Sequence, residues 1–252
     1  MNTKIIKTDG ISIDKNDLNI AAQILRTGGL VVFPTETVYG LGGDATNANA
    51  AEKIYAAKGR PSDNPLIIHI SNPKDAEKYA VTNQTYYDLA KAFMPGPITV
   101  ILPKKNIIPF SVTGGLDTVA VRCPDHPVAN ALIRAFGKPI AAPSANISGR
   151  PSPTCAKYVI EDLDGHVDMI IDGGQCEIGL ESTIVKIEGD SLTLLRPGAI
   201  TADALKCVCS TVKIAPAVLE QLKENERPLS PGMKYKHYAP SVPFVLIDGE
   251  RE

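Results

Sequence analysis

The chain has no apolar run near the roughly 18 residues that a membrane-spanning helix needs, and its N-terminal MNTKIIKTDG lacks the hydrophobic segment of a secretion signal. A cytoplasmic protein with no membrane partner is the expectation. There is no C-x-x-C pair: Cys123, Cys155, Cys176, Cys207 and Cys209 are an odd set whose only close pair is C-x-C. That pattern reads as free thiols in a reducing compartment, not as a disulfide framework. The four histidines, His69, His126, His166 and His237, show no metal-ligand spacing, so no metal site is expected of the protein itself. Net charge is −2. Nothing in it demands nucleic acid or an anionic membrane, and a site for a polyanion must be built locally from a few Lys and Arg.

The familiar nucleotide fingerprints are missing too. Neither G-x-x-x-x-G-K-[ST] nor G-x-G-x-x-G occurs between a strand and a helix, and no G-x-S-x-G elbow surrounds a serine. No pair of carboxylates stands out by spacing, which argues against glycosidase-like chemistry. There is no internal repeat and no low-complexity tract.

What is present is an ordinary core-forming composition: 44% hydrophobic and 21% charged over 252 residues, enough for one large domain, alone or with a small appendage. Short β-branched runs alternate with helical periodicity. Strands are predicted at 5–6, 30–33, 66–70, 98–102, 118–121, 140–142, 169–171, 183–187 and 192–195. Helices are predicted near 16–26, 49–57, 86–93, 128–136 and 218–223. Glycine-containing turns such as Glu188–Gly189–Asp190 imply antiparallel pairs among parallel ones, hence a mixed α/β sheet. After the last helix, ERPLSPGMKYKHYAPSVP reads as an irregular linker followed by one strand's worth of apolar sequence, Phe244–Ile247.

Three segments carry the candidate chemistry. In KGRPSDNPLIIHI (58–70), Lys58 and Arg60 end a helix and enter a loop stiffened by two prolines, an arrangement that suits phosphate; alone, such cations more often just complement the helix dipole. In PTETVYGLG (34–42), Thr35, Thr37 and Tyr39 follow a buried strand, where α/β sheets place ligands; the plainer meaning is a turn with capping hydroxyls. In APSANISG (142–149), Ser144, Asn146 and Ser148 offer small donors and acceptors for a ribose or phosphate, with a nucleophilic Ser144 the disfavoured alternative. Arg122, after the strand TVAV, has the planar fork that clamps a carboxylate, although a surface ion pair is commoner. His69 ends an apolar strand, where a satisfied core histidine is usual, and Arg196 in RPG follows another. The inventory is cations and hydroxyls. It suits an anionic, phosphate-bearing ligand whose reaction needs positioning and charge neutralisation more than proton transfer.

Taken in order, PTETVYGLG, KGRPSDNPL, MPGPIT, VAVRCPDHP, APSANISG, LESTIV, LLRPG and SPGMKYKHYAP resemble the threonylcarbamoyl-AMP synthases with a YrdC-like domain, over about residues 10 to 240. The resemblance implies a twisted, open mixed α/β (α+β) sheet with flanking helices around a concave, positively charged cavity. It implies a nucleotidyltransferase that joins L-threonine, bicarbonate and ATP, with Mg²⁺, into threonylcarbamoyl-AMP and pyrophosphate. Another complex would then transfer the threonylcarbamoyl group to adenosine 37 of tRNA.

Carried over by position, the family's threonine contacts fall on Thr37, His69, Arg122, Ala142 through its backbone, and Ser182, with Arg122 on the carboxylate. Its nucleotide contacts fall on Lys58, Arg60, Asn64, Thr118, Ser144, Asn146, Ser152 and Arg196, with Lys58 and Arg60 as the catalytic cations. His237 and Tyr238 of the linker would close over the nucleotide. The implied organisation is a catalytic domain over 1–210, a helix and linker over 211–240, and at 241–252 the start of a shortened C-terminal domain. The alternative is an RNA-binding module of the same fold without adenylation activity, and a weak tRNA contact is a further partner expectation. A relative that handles carbamoyl phosphate for metallocentre maturation is disfavoured, because it would carry extra domains and zinc-finger cysteines.

Overall fold

A computed structural model describes residues 2–219. Its strands are β1 (Lys4–Lys7), β2 (Val31–Phe33), β3 (Gly40–Asp44), β4 (Ile67–His69), β5 (Ile98–Pro103), β6 (Thr118–Arg122), β7 (Ile140–Ala142), β8 (Met169–Asp172), β9 (Thr183–Glu188), β10 (Ser191–Arg196) and β11 (Val212–Ile214). Its helices are α1 (Lys15–Arg26), α2 (Ala48–Lys58), α3 (Gln84–Phe93), α4 (Pro127–Phe136), α5 (Ala156–Leu163), α6 (Ala202–Lys206) and α7 (Pro216–Leu219), with a 3₁₀ turn at Pro73–Lys78. No helix among the described residues is long and apolar enough to cross a membrane.

The strands form one twisted sheet in the order β1-β8-β2-β3-β7-β4-β6-β5-β9-β10-β11. Parallel pairs (β1/β8, β2/β8, β4/β6, β5/β9, β10/β11) occur together with antiparallel ones (β2/β3, β3/β7, β4/β7, β5/β6, β9/β10), the mixture expected from the turn signals. β11 carries the sheet beyond residue 210, into the stretch read from sequence as linker. α7 follows it, and from residue 220 on the stretch, with His237, Tyr238 and 241–252, lies outside the described residues.

Strand periodicity sorts the core onto two faces. Val32, Ile68, Val100, Val121, Ala141, Ile170 and Val185 point into the larger cluster, which also holds Ile54 of α2, Leu89 of α3 and Val159 of α5. Their neighbours Val31, Phe33, Ile140, Ala142, Met169 and Ile171 point the other way, onto α1 and α4. α4 buries Val128, Ala129, Leu132, Ile133 and Phe136, one stripe at helical spacing, and each large side chain taken fully out of water is worth roughly 1.5–3 kcal/mol. α1 starts at Asp14, whose side chain accepts from the Asn16 and Asp17 N–H groups, and presents Ala21, Ala22 and Leu25 to the same layer.

This second layer stops short. Past α1 and α4, the face is closed again only near β9 to β11, where Ala215 joins Ile67, Ile101, Ala120, Ile184 and Leu195. Between the two coverings lie the ends of β4, β6 and β7, and there, among the described residues, the sheet is open.

Candidate active site

The gap is a cavity of about 550 Å³, open solvent at its mouth included, lined by Thr35, Val38, Tyr39, Gly40, Arg60, Ile67, His69, Arg122, Ala142, Pro143, Ser144, Glu181 and Arg196. Register builds its floor. His69 pairs with Arg122 across parallel β4/β6, and with Ile140 across antiparallel β4/β7. Both side chains, Arg122 and His69, are about 4% exposed.

His69 Nδ1 lies 3.3 Å from the Ile140 carbonyl oxygen, and the Phe33 ring meets its ring edge-on at 5.8 Å between centroids. Burial first, and then the nearby Arg122 charge, pull its pKa down to about 3. It is therefore neutral at physiological pH.

Arg122 sits beside a second buried charge. Its Nη2 is 2.7 Å from Glu36 Oε1, yet Arg122 Nε and Nη2 and both Glu36 oxygens have no aligned hydrogen-bond partner among the described residues. Nε and Nη2 form one edge of the guanidinium fork, the edge that matches two carboxylate oxygens.

Two more cations stand around the cavity. Arg60 donates from Nη2 to the Pro65 carbonyl at 3.2 Å and from Nε to the Asn64 carbonyl at 3.4 Å. Gly59 in the left-handed region (φ 59°) ends α2 and turns the chain, so that Arg60 leaves the helix axis. Arg196 donates from Nε to the Ser182 carbonyl at 3.0 Å and from Nη2 to Ser182 Oγ at 3.1 Å. Its surroundings lower its pKa to about 10, mainly by burial, and it stays charged at neutral pH.

Lys58 is placed differently from what its motif suggests. It is 2% exposed, and its Nζ donates to the carbonyls of Ser144 (2.6 Å) and Asn146 and approaches Asn146 Oδ1 at 3.3 Å. Burial, then Arg60, hold its pKa well below the usual lysine value. The ammonium thus lies behind the 143–150 loop and stitches it. Ser144 Oγ donates to Asn146 Oδ1, Asn146 Nδ2 donates to the carbonyls of Ile147 (2.9 Å) and Arg150 (2.8 Å), and the Asp162 carboxylate accepts from the Ile147 N–H and pairs with Arg150.

Eight of the residues picked from sequence therefore line the cavity: Thr35, Tyr39, Arg60, His69, Arg122, Ala142, Ser144 and Arg196. Thr37, Asn64, Asn146, Ser152 and Ser182 stand behind it. Thr37 Oγ1 shares a hydrogen bond with Thr35 Oγ1 (2.9 Å), Ser182 Oγ one with Thr99 Oγ1 (2.7 Å), and Ser152 Oγ donates to Glu181. Asn64 is buried with Oδ1 unpaired among the described residues. Thr118 is on the Arg122 face but at the opposite end of β6, and it does not line the cavity. Two carboxylates were missed. Glu36 sits inside PTETVYG and Glu181 inside LEST, and only their neighbours' hydroxyls drew notice.

Fold and site together define an α/β protein with an anion-attracting cavity at strand ends, lined by three arginines and one carboxylate. Residues 23–198 match the Sua5/YciO/YrdC family model, described as telomere recombination, and residues 200–252 match the model of the threonylcarbamoyl-AMP synthase C-terminal domain. The chain belongs to the Sua5/YciO/YrdC family. It is 49% identical over 247 residues to the threonylcarbamoyl-AMP synthase of Bacillus subtilis, covering 97% of this chain and 70% of that protein. It is 48% identical over 241 residues to that of Pyrococcus abyssi, with 95% and 70% covered. The crystal structure of P. abyssi Sua5 complexed with L-threonine superposes with a TM-score of 0.88 at 47% identity, over 96% of this chain and 70% of that one. The chain thus spans about 70% of the length of these relatives.

Proposed function

We propose that the protein is a nucleotidyltransferase that makes L-threonylcarbamoyl-AMP and pyrophosphate from L-threonine, bicarbonate and ATP, for tRNA modification by a later transfer complex. The observation that carries the reading is the lining of the cavity. A buried Arg122 whose fork edge makes no aligned hydrogen bond pairs across the sheet with a neutral His69, and Arg60 and Arg196 line the same cavity. The first pair suits an amino-acid carboxylate, the further arginines a polyphosphate.

In the reaction the threonine nitrogen bonds to the carbon of bicarbonate-derived carbon dioxide and gives up a proton. A carbamate oxygen then bonds to the α-phosphorus as the bond to the β-phosphate bridging oxygen breaks, and pyrophosphate leaves with that electron pair. Arg122 holds the threonine carboxylate and the Ala142 backbone borders it. Neutral His69 fills the floor without adding a charge next to the amine, Thr37 supports this subsite through Thr35, and Ser182, which accepts from Arg196 on its carbonyl and hydroxyl, ties the subsite to the phosphate cations. Arg60 and Arg196 offset the charge of the phosphates, which is where a preorganised site lowers the barrier most. Ser144, Asn146, Ser152 and Asn64 shape the nucleotide side, and Lys58 adds its charge through the loop it holds. Thr118 reaches the nucleotide only if the ligand extends along β6.

Among the described residues no cluster of three or more metal ligands exists, but Glu181 is the one acidic group lining the cavity and stands among cations. It fits a Mg²⁺ carried in on ATP: this carboxylate would help to hold the ion, which would screen the charge of the triphosphate.

The test is pyrophosphate release by the purified protein with ATP, Mg²⁺ and bicarbonate, comparing L-threonine, L-serine and no amino acid. Release that depends on threonine and bicarbonate together supports the reading. A folded protein that binds neither ATP nor threonine would overturn it.

A further inference from the structure

Glu36 does not line the cavity but lies against Arg122, which does, and the reaction as drawn has no use for it. Its side chain is buried, it comes from the β2–β3 connection, and its backbone is fixed from the far side: its carbonyl accepts from the Ile178 N–H at 2.9 Å, and the next carbonyl, of Thr37, accepts from the Gly179 N–H at 3.1 Å. Burying a carboxylate is costly unless it is paired and hydrogen-bonded. Here it is paired by charge alone: Nη2 of Arg122 approaches Oε1 to 2.7 Å, but neither Glu36 oxygen has an aligned donor, and Nε and Nη2 of Arg122 have no aligned acceptor. A fully formed two-bond salt bridge would consume the fork edge that a substrate carboxylate needs. A lone Arg122 would be an uncompensated buried charge with several rotamers open to it. The observed arrangement avoids both.

We propose that Glu36 is the positioning residue of the carboxylate subsite, its buried charge fixing the Arg122 guanidinium through the close approach to Nη2 while spending no aligned hydrogen bond of the fork edge, which is left to the substrate. The carboxylate of an α-amino acid then supplies the aligned acceptors that Glu36 withholds. Glu36 touches no reacting atom. Its effect is confined to recognition of a negative charge at that position and does not extend to the nucleotide.

The proposal rests on the assignment of Arg122 to the threonine carboxylate, and the experiment separates the two. The affinities of L-threonine, of L-threoninamide, which lacks the negative charge, and of ATP are measured by calorimetry for the unaltered protein and for Arg122→Ala, Glu36→Gln and Glu36→Asp. Glu36→Gln is expected to weaken L-threonine about 10- to 100-fold, to narrow the preference for threonine over threoninamide by a similar factor, and to leave ATP affinity within about twofold. Glu36→Asp, which keeps the charge, should recover part of that preference, as a merely structural defect would not. Unchanged preference in Glu36→Gln with the preference lost in Arg122→Ala overturns the role of Glu36 alone. Preference retained in Arg122→Ala overturns the subsite assignment beneath it. Should Glu36→Gln fail to fold, Glu36→Asp decides: a preference equal to that of the unaltered protein counts against the proposal, and an intermediate one supports it.

Discussion

The hydroxyls of Thr99 and Ser182, 83 positions apart in the chain, share a hydrogen bond of 2.7 Å, and both residues are fully buried. β5 and β9 run parallel side by side and bring them together, and the same Ser182 takes Arg196 on its hydroxyl and its carbonyl. One serine thus ties a sheet interior to a cavity cation. Ser182→Ala leaves Thr99 short of a partner and removes one of Arg196's acceptors. The expected cost is about 1–3 kcal/mol of stability, read from urea denaturation, and it should come with a loss of ATP affinity that Thr99→Val does not share.

Lys58 is expected to behave as a structural cation as well as an electrostatic one. Replacing it with methionine keeps the aliphatic stem but strands the carbonyls of Ser144 and Asn146 inside the protein, at about 2–4 kcal/mol in total. Proteolysis should then open the 143–150 loop, and pyrophosphate release should fall at least about tenfold. By contrast Arg60→Ala, with Arg60 lining the cavity, should lower turnover with little change in thermal midpoint. Equal destabilisation of the two variants would count against this division of labour.

Most of the sheet was legible in the sequence because strands buried on two faces announce themselves as β-branched runs: Val31–Phe33, Ile98–Pro103 and Thr183–Glu188 fall within a residue or two of expectation. β3 was not, because its sequence is GLGGD. Its glycines are demanded by crowding: a Cβ on Gly42 would lie 2.7 Å from an Ile140 methyl and 2.8 Å from the Phe33 ring. Glycine there reads as a loop from sequence and as a tightly sandwiched central strand in space. α5 was missed for the opposite reason, a short amphipathic segment following directly on the prolines of RPSPTC. In the site, arginines and hydroxyls were found through their motifs. Glu36 and Glu181 went unremarked because what makes them notable, Arg122 at 2.7 Å and a cavity rimmed by cations, is created by contacts between distant segments.

Glu181 is the acidic exception on a basic wall, and it accepts a hydrogen bond from Ser152. A carboxylate facing a triphosphate repels it unless a cation stands between them. Glu181→Gln is therefore expected to raise the Mg²⁺ concentration for half-maximal pyrophosphate release several-fold and to weaken Mn²⁺ binding in the presence of ATP, measured by electron paramagnetic resonance. Threonine affinity should not move. If the substitution instead tightens ATP binding without any effect of the metal ion, Glu181 acts by repulsion only.

His69 makes the fold sensitive to acid in a window set by its own titration. Free histidine binds its proton near pH 6.5, whereas the buried imidazole resists it until about pH 3. Above about pH 6.5 both the folded and unfolded forms are neutral, and the residue adds no pH dependence. As the pH falls from there towards 3, the unfolded chain takes up a proton that the folded one refuses, so stability is lost progressively, by at most about 3–5 kcal/mol. Below about pH 3 both forms are protonated and the loss levels off. His69→Gln, which cannot titrate, should flatten this part of the stability curve in urea denaturation between pH 7 and 4, even if it costs stability at neutral pH. A slope as steep as that of the unaltered protein would mean that other groups carry the acid sensitivity.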